Sequence, residues 1–207
     1  MNVQGECLRC SSVGMSYGKK RVLSSCSLRG APGEVGGLVG ENGSGKTTLM
    51  KGLLGFLPID SGIVTIAAPV GFCPQENILN SSLTVAEHFR FFDSIQKRHS
   101  SPDTAYQKKL LEETGLAKFL TVPISDLSGG TYQKVKFLTT IRMRPRLLVL
   151  DEPCDGFDWQ MYLLFWGFLN DLSSSGTGVL MVSHLLHDRE RFHRIYNLKE
   201  GVLEESL

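Results

Sequence analysis

The chain has 207 residues, enough for one sizeable domain or one carrying an inserted subdomain. Apolar residues make up 42% and charged residues 21%, ordinary for a soluble globular protein, and the net charge of +1 gives no electrostatic reason to expect nucleic acid as a partner. No apolar run approaches the roughly 18–20 residues that cross a bilayer.

The beginning, Met1-Asn2-Val3-Gln4-Gly5-Glu6-Cys7, lacks the basic start and apolar stretch of a signal peptide, so a cytoplasmic location is expected. Five scattered cysteines (Cys7, Cys10, Cys26, Cys73, Cys154) suit a reducing compartment. Cys7 and Cys10 have metal-site spacing. No second pair follows at a zinc-like distance, so they read as incidental strand residues.

Residues 1–33 read as two or three short strands broken by Gly14, Gly18, Gly30 and Pro32-Gly33. Tyr17 falls in an exposed turn and, taken alone, is a packing aromatic. Glu34-Val35-Gly36-Gly37-Leu38-Val39 is a short buried strand, and a helix is expected through Leu49-Met50-Lys51-Gly52-Leu53-Leu54.

Between them lies Gly40-Glu41-Asn42-Gly43-Ser44-Gly45-Lys46-Thr47-Thr48, which fits the phosphate-binding loop pattern in the strand–loop–helix context the pattern requires. Glycines let successive N–H groups turn toward one anion, and the helix adds its positive end. Lys46 is expected to reach the β- and γ-phosphates and Thr47 to bind Mg²⁺. The motif therefore predicts a nucleoside triphosphate as ligand.

Downstream, Pro58 to Gly62 is a turn, and Ile63-Val64-Thr65-Ile66 and Val70-Gly71-Phe72-Cys73 are strands, the second delivering Gln75 through Pro74. From about residue 76 the pattern turns helical. Thr84-Val85-Ala86-Glu87 is a capping box, with Val85, Phe89 and Phe92 on one face as core. Ser101-Pro102 is expected to open a second helix that Gly115 ends. Leu127-Ser128-Gly129-Gly130-Thr131 follows, with Ser128 capping a helix whose two first-turn glycines weaken it by roughly 1 kcal/mol each. Such a start makes sense where the backbone must approach an anion closely.

Arg146-Leu147-Leu148-Val149-Leu150-Asp151-Glu152 is a buried strand tipped by two carboxylates, one suited to Mg²⁺ and one to activating water. Asp158 is placed to cap a helix from Trp159 to Leu172. Gly178-Val179-Leu180-Met181-Val182-Ser183 is another buried strand, with His184 at its tip. Parallel α/β sheets gather ligands at such carboxyl ends.

Taken together, these motifs resemble the nucleotide-binding subunit of an ATP-binding-cassette (ABC) transporter over nearly the whole chain. The phosphate loop corresponds to Walker A, 146–152 to Walker B, and Leu127-Ser128-Gly129-Gly130 to the first four positions of the Leu-Ser-Gly-Gly-Gln signature. Gln75 matches the Q-loop, Asp158 the D-loop aspartate, His184 the switch histidine and Tyr17 the aromatic that stacks on adenine.

The resemblance implies an α/β P-loop NTPase, RecA-like, with N-terminal antiparallel strands. Residues 1–75 and 136–207 would form the ATP-binding core, and 76–135 an inserted helical subdomain. It implies Mg²⁺-dependent ATP hydrolysis with Glu152, His184, Gln75 and Lys46 catalytic, and with Thr47, Gln75 and Asp151 on the metal. Tyr17, residues Gly40, Glu41, Asn42, Gly43, Ser44, Gly45, Lys46, Thr47 and Thr48, and also Ser128, Gly129, Gly130 and Asp158 would contact ATP.

The partners implied are an integral membrane subunit and a second cassette, as homodimer or heterodimer, with the chain peripheral on the cytoplasmic face of the membrane and no nucleic acid bound. A soluble ABC-type ATPase of DNA repair or the ribosome is the alternative. Two departures stand out: Thr131 replaces the signature glutamine, and the stretch from Ile63 to Gln75 is too short for a hairpin the family often carries there.

Overall fold

The structure is a computed structural model that describes residues 5–96, 103–184 and 188–206. Its first layer is a three-stranded antiparallel sheet in which β1 (Leu8–Tyr17) pairs with β2 (Lys20–Gly30) on one side and β4 (Ser61–Ile66) on the other. The break expected at Gly14 does not occur: β1 runs straight through it. A Cβ there would come within 2.7 Å of the Ser61 hydroxyl, so the glycine serves a close strand approach rather than a turn. Likewise β4 begins at Ser61, inside the expected turn, and passes through Gly62 at φ 92°.

The second layer is a six-stranded sheet containing β3 (Val35–Val39), β5 (Val70–Cys73), β6 (Leu147–Asp151), β7 (Gly178–Ser183), β8 (Arg194–Lys199) and β9 (Val202–Glu205). Its order is β5-β6-β7-β3-β8-β9, parallel throughout except for the final β8–β9 pair. Both faces are covered, as all-parallel strands demand. Along β6, Leu148 and Leu150 point into one core while Leu147 and Val149 point into the other. In β7, Val179 and Met181 alternate with Leu180 and Val182 in the same way. That period of two is why these strands read as unbroken apolar runs.

Against one face lie α1 (Lys46–Leu53) and the small sheet; against the other lie α4 (Gly129–Ile141) and α5 (Trp159–Ser174), joined by α2 (Val85–Gln96) and α3 (Thr104–Thr114). The capping box forms: Glu87 accepts from the Thr84 N–H at 2.9 Å, and the Thr84 hydroxyl accepts from the Glu87 N–H at 3.3 Å. Val85 and Phe89 enter the core and Phe92 is half-buried. The expected helix start at Ser101-Pro102 lies outside the described residues; α3 is capped by Asp103, which accepts from the Tyr106 N–H, and ends at left-handed Gly115. One helix, α4, runs through residue 135, where the expected boundary between core and helical subdomain falls. Among the described residues no helix is long and apolar enough to cross a membrane.

Candidate functional site

Five strands of the large sheet run parallel, so their carboxyl ends share one edge, and the sequence motifs sit there. The loop after β3 carries 40–48, the end of β5 carries Gln75, β6 ends in Asp151-Glu152, β7 in Ser183-His184, and β8 leads to Glu200-Gly201. Together they line a cleft of about 610 Å³ that contains Tyr17, residues 42–48, Gln75, Asp151, Glu152 and His184.

The loop's shape follows from its glycines. Gly43 and Gly45 take φ of 81° and 108°, a region that side-chain-bearing residues avoid, and Gly45 opens α1. A Cβ on Gly40 would collide with the Leu198 carbonyl. The Lys46 side chain is buried and folds back across the loop, donating to the carbonyls of Gly40 at 2.6 Å and Glu41 at 3.2 Å. The Ser44 hydroxyl is buried with no hydrogen-bond partner among the described residues. An unsatisfied donor beside a helix N-terminus and an ammonium suits a phosphate oxygen.

Asp151 is 9% exposed, and its carboxyl is held above the usual carboxylate range, first by burial and then by the neighbouring Glu152, with Lys46 and Lys51 pulling the other way. A divalent cation beside it would supply the charge its surroundings lack. Thr47, Gln75 and Asp151 all line the cleft, and a hydroxyl, an amide oxygen and a carboxylate are hard oxygen donors of the kind that would suit Mg²⁺. Gln75 Nε2 donates to Asp155 at 3.4 Å, which leaves its amide oxygen as the free end.

Glu152 stands apart. It has φ 46°, a left-handed conformation rare for a residue with a side chain, and is held in it by its N–H donating to the Val182 carbonyl at 2.8 Å. One carboxylate oxygen accepts from the Ser183 hydroxyl at 2.8 Å, and the other lies 3.1 Å from His184 Nδ1. A carboxylate so fixed, next to an acid whose environment favours a cation, can hold and deprotonate a water while His184 orients the pair.

Some expected residues lie elsewhere. Ser128, Gly129, Gly130 and Asp158 do not line this cleft, and neither do Gly40 and Glu41, whose carbonyls instead accept from Lys46. Ser128 caps α4, its hydroxyl 2.9 Å from that of Thr131, and Asp158 caps α5 by accepting from the Met161 N–H at 2.7 Å. Sequence reasoning missed Asp155, Arg21 and Glu200, which join the cleft wall, and Ser183, which stands behind it and donates to Glu152. An acid four residues past Asp151 in the same turn was a visible signal for Asp155; Glu200 carried none before the β8 register was known.

Comparison with known proteins returns one consistent set. The family described as ABC transporter matches residues 23–155. The zinc import ATP-binding protein ZnuC of Cereibacter sphaeroides is 36% identical over 173 residues, covering 82% of this chain and 69% of that protein. The Nod factor export ATP-binding protein I of Paraburkholderia xenovorans is 33% identical over 199 residues, covering 90% and 66%. The chain spans as little as 28% of a longer relative. A solved structure described as the ATP binding subunit of an ABC transporter superposes with a TM-score of 0.88 at 24% identity, covering 97% of this chain and 89% of that one, and shares its fold.

Proposed function

This chain belongs to the ABC transporter family, and on that premise we propose that it is the ATP-hydrolysing subunit that powers substrate movement through a separate membrane protein. The single observation that carries the reading is the cleft at the strand tips. There the phosphate loop, the Asp151-Glu152 pair, Gln75 and His184 meet in one chain.

In this reading Tyr17 stacks on the base and residues 40–48 wrap the phosphates. Thr47, Asp151 and Gln75 hold Mg²⁺, which when bound neutralises the phosphate oxygens. Glu152 takes the proton of the attacking water, and His184 holds Glu152 and the transferred phosphate in register. Ser128, Gly129 and Gly130, which do not line their own cleft, cover the phosphates bound by a second cassette, and Asp158 lies at that junction. Residues 76–135 are the part that meets the membrane subunit; Ile78 and Phe91, 42% and 54% exposed, support a docking face there.

Mutation of Glu152 tests this. A general base contributes about 10²–10⁴-fold, so Glu152→Gln slows ATP hydrolysis by that order and leaves ATP binding intact. The trapped protein runs as a dimer with ATP and Mg²⁺, alone or with its natural partner cassette, and Ser128→Arg abolishes that dimer. Unchanged turnover in Glu152→Gln, or a monomer under ATP with the partner present, would contradict the reading.

A further inference from the structure

Lys136 has no role in the chemistry above, yet it is 5% exposed, and lysines are seldom buried without compensation. Its ammonium donates to the carbonyls of Pro74 at 2.8 Å and Gln75 at 3.2 Å. Four residues further along α4, the Thr140 hydroxyl lies 3.5 Å from the Phe72 carbonyl. Four residues earlier, the Tyr132 hydroxyl accepts the Leu79 N–H at 3.0 Å.

A spacing of four puts Tyr132, Lys136 and Thr140 on one helix face. That face therefore holds the backbone of 74–79 by three hydrogen bonds and rests on Phe72 through Thr140, whose hydroxyl donates to the Lys136 carbonyl at 3.1 Å, and the segment it holds presents Gln75. Close packing holds the contact: a Cβ on Gly71 would meet the Thr140 carbonyl at 2.8 Å.

We propose that this face of α4 is a splint that fixes Gln75 to the helix beginning at Ser128, with Lys136 as the positioning residue. The proposal rests on reading the cleft as an ATP site. A helix is stiff along its axis, so displacement at its Ser128 end is carried to the Gln75 carbonyl through the Lys136 ammonium. Closure of a second cassette on Ser128 then sets where the Gln75 side chain stands against metal and water, linking the two half-sites through side chain and backbone rather than through the nucleotide.

The test compares Lys136→Met, which keeps the stem and removes the donors, with Lys136→Arg and with the milder Tyr132→Phe. In Lys136→Met, kcat falls and the half-saturating Mg²⁺ concentration rises, each by roughly tenfold, as for other residues that orient a metal ligand from behind. ATP affinity measured in EDTA stays at the wild-type value. Lys136→Arg recovers most of the loss, and Tyr132→Phe shows a smaller loss in the same direction.

Hydrogen exchange without nucleotide supplies an arm that does not depend on catalysis. The Leu79 amide and its neighbours exchange faster in Lys136→Met and Tyr132→Phe. If the wild type hydrolyses no ATP, the nucleotide reading fails while this exchange still decides the splint. Wild-type kcat, Mg²⁺ requirement and exchange in Lys136→Met overturn the proposal. A parallel fall in melting temperature and EDTA-measured ATP affinity, not recovered by Arg, overturns it too, because it marks a merely structural lysine.

Discussion

The carboxyl edge of the large sheet and the helical layer of α2, α3 and α4 differ in what their polar groups face. At the sheet edge they line an open cleft: Glu152 is held left-handed, the Ser44 hydroxyl is buried without a partner among the described residues, and Asp151 sits where ionisation is disfavoured. In the helical layer, buried cations act as fasteners. The Arg142 guanidinium pairs with Asp93 at 2.8 Å, donates to Gln107 at 2.8 Å and lies 4.3 Å from the centre of the Phe89 ring. The first region is poised for a ligand, and the second holds a shape. Mutations in the two should therefore separate into losses of function and losses of stability.

The largest separation is expected at Arg142. Arg142→Met leaves Asp93 without its buried partner, and removing one member of a buried ion pair costs about 3–5 kcal/mol. Urea unfolding should show a loss of that order, with ATP affinity unchanged in the protein that remains folded. A large loss of affinity at full stability would erase the contrast.

Next comes His88, 1% exposed on α2, both ring nitrogens without hydrogen-bond partners among the described residues and its ring tilted against Phe92 at 4.7 Å. Burial first, then the nearby Arg142 charge, push its pKa down to about 4. Because the folded pKa lies below the unfolded value, folding favours the neutral ring. Its contribution is whole above the unfolded pKa of 6.5 and is lost as pH falls from there toward 4. At about 1.4 kcal/mol per pKa unit the loss is on the order of 3 kcal/mol. Unfolding free energies of His88→Leu and wild type between pH 7 and pH 4 check this. The variant should show the flatter profile, and parallel profiles would show that His88 titrates normally.

The smallest effect belongs to Tyr17, 55% exposed at the end of β1 and part of the cleft wall. Tyr17→Ala should weaken ATP binding by about 1–3 kcal/mol, the worth of stacking on a base, and leave stability unchanged. Tyr17→Phe should keep most of the affinity. Calorimetric titration decides, and equal affinities for Ala and wild type would make this a packing residue.

The two regions also differed in how far the sequence disclosed them. The sheet edge was legible because phosphate binding imposes fixed residue types at fixed spacing, and strands such as 147–151 and 178–183 are apolar on both faces. Gly14 misled, since a glycine chosen for close strand contact looks the same in sequence as one chosen for a turn. Lys136 was invisible for a different reason. On a helix a lysine reads as solvated, and only the position of β5 against α4 shows that its ammonium ends among the carbonyls of Pro74 and Gln75. Ser183 was passed over beside its histidine, because nothing local announces that its hydroxyl reaches Glu152.

The central claim is that the cleft at the strand tips binds and hydrolyses ATP through its own lysine. ATP binding and Mg²⁺-dependent turnover, measured on wild type and Lys46→Ala with a melting curve for each, test it most directly. The account predicts that the wild type turns over ATP and that Lys46→Ala, melting as the wild type does, has lost binding or turnover, because the ammonium proposed to reach the phosphates is gone. A wild type that binds no ATP, or a Lys46→Ala variant with wild-type turnover, would contradict it.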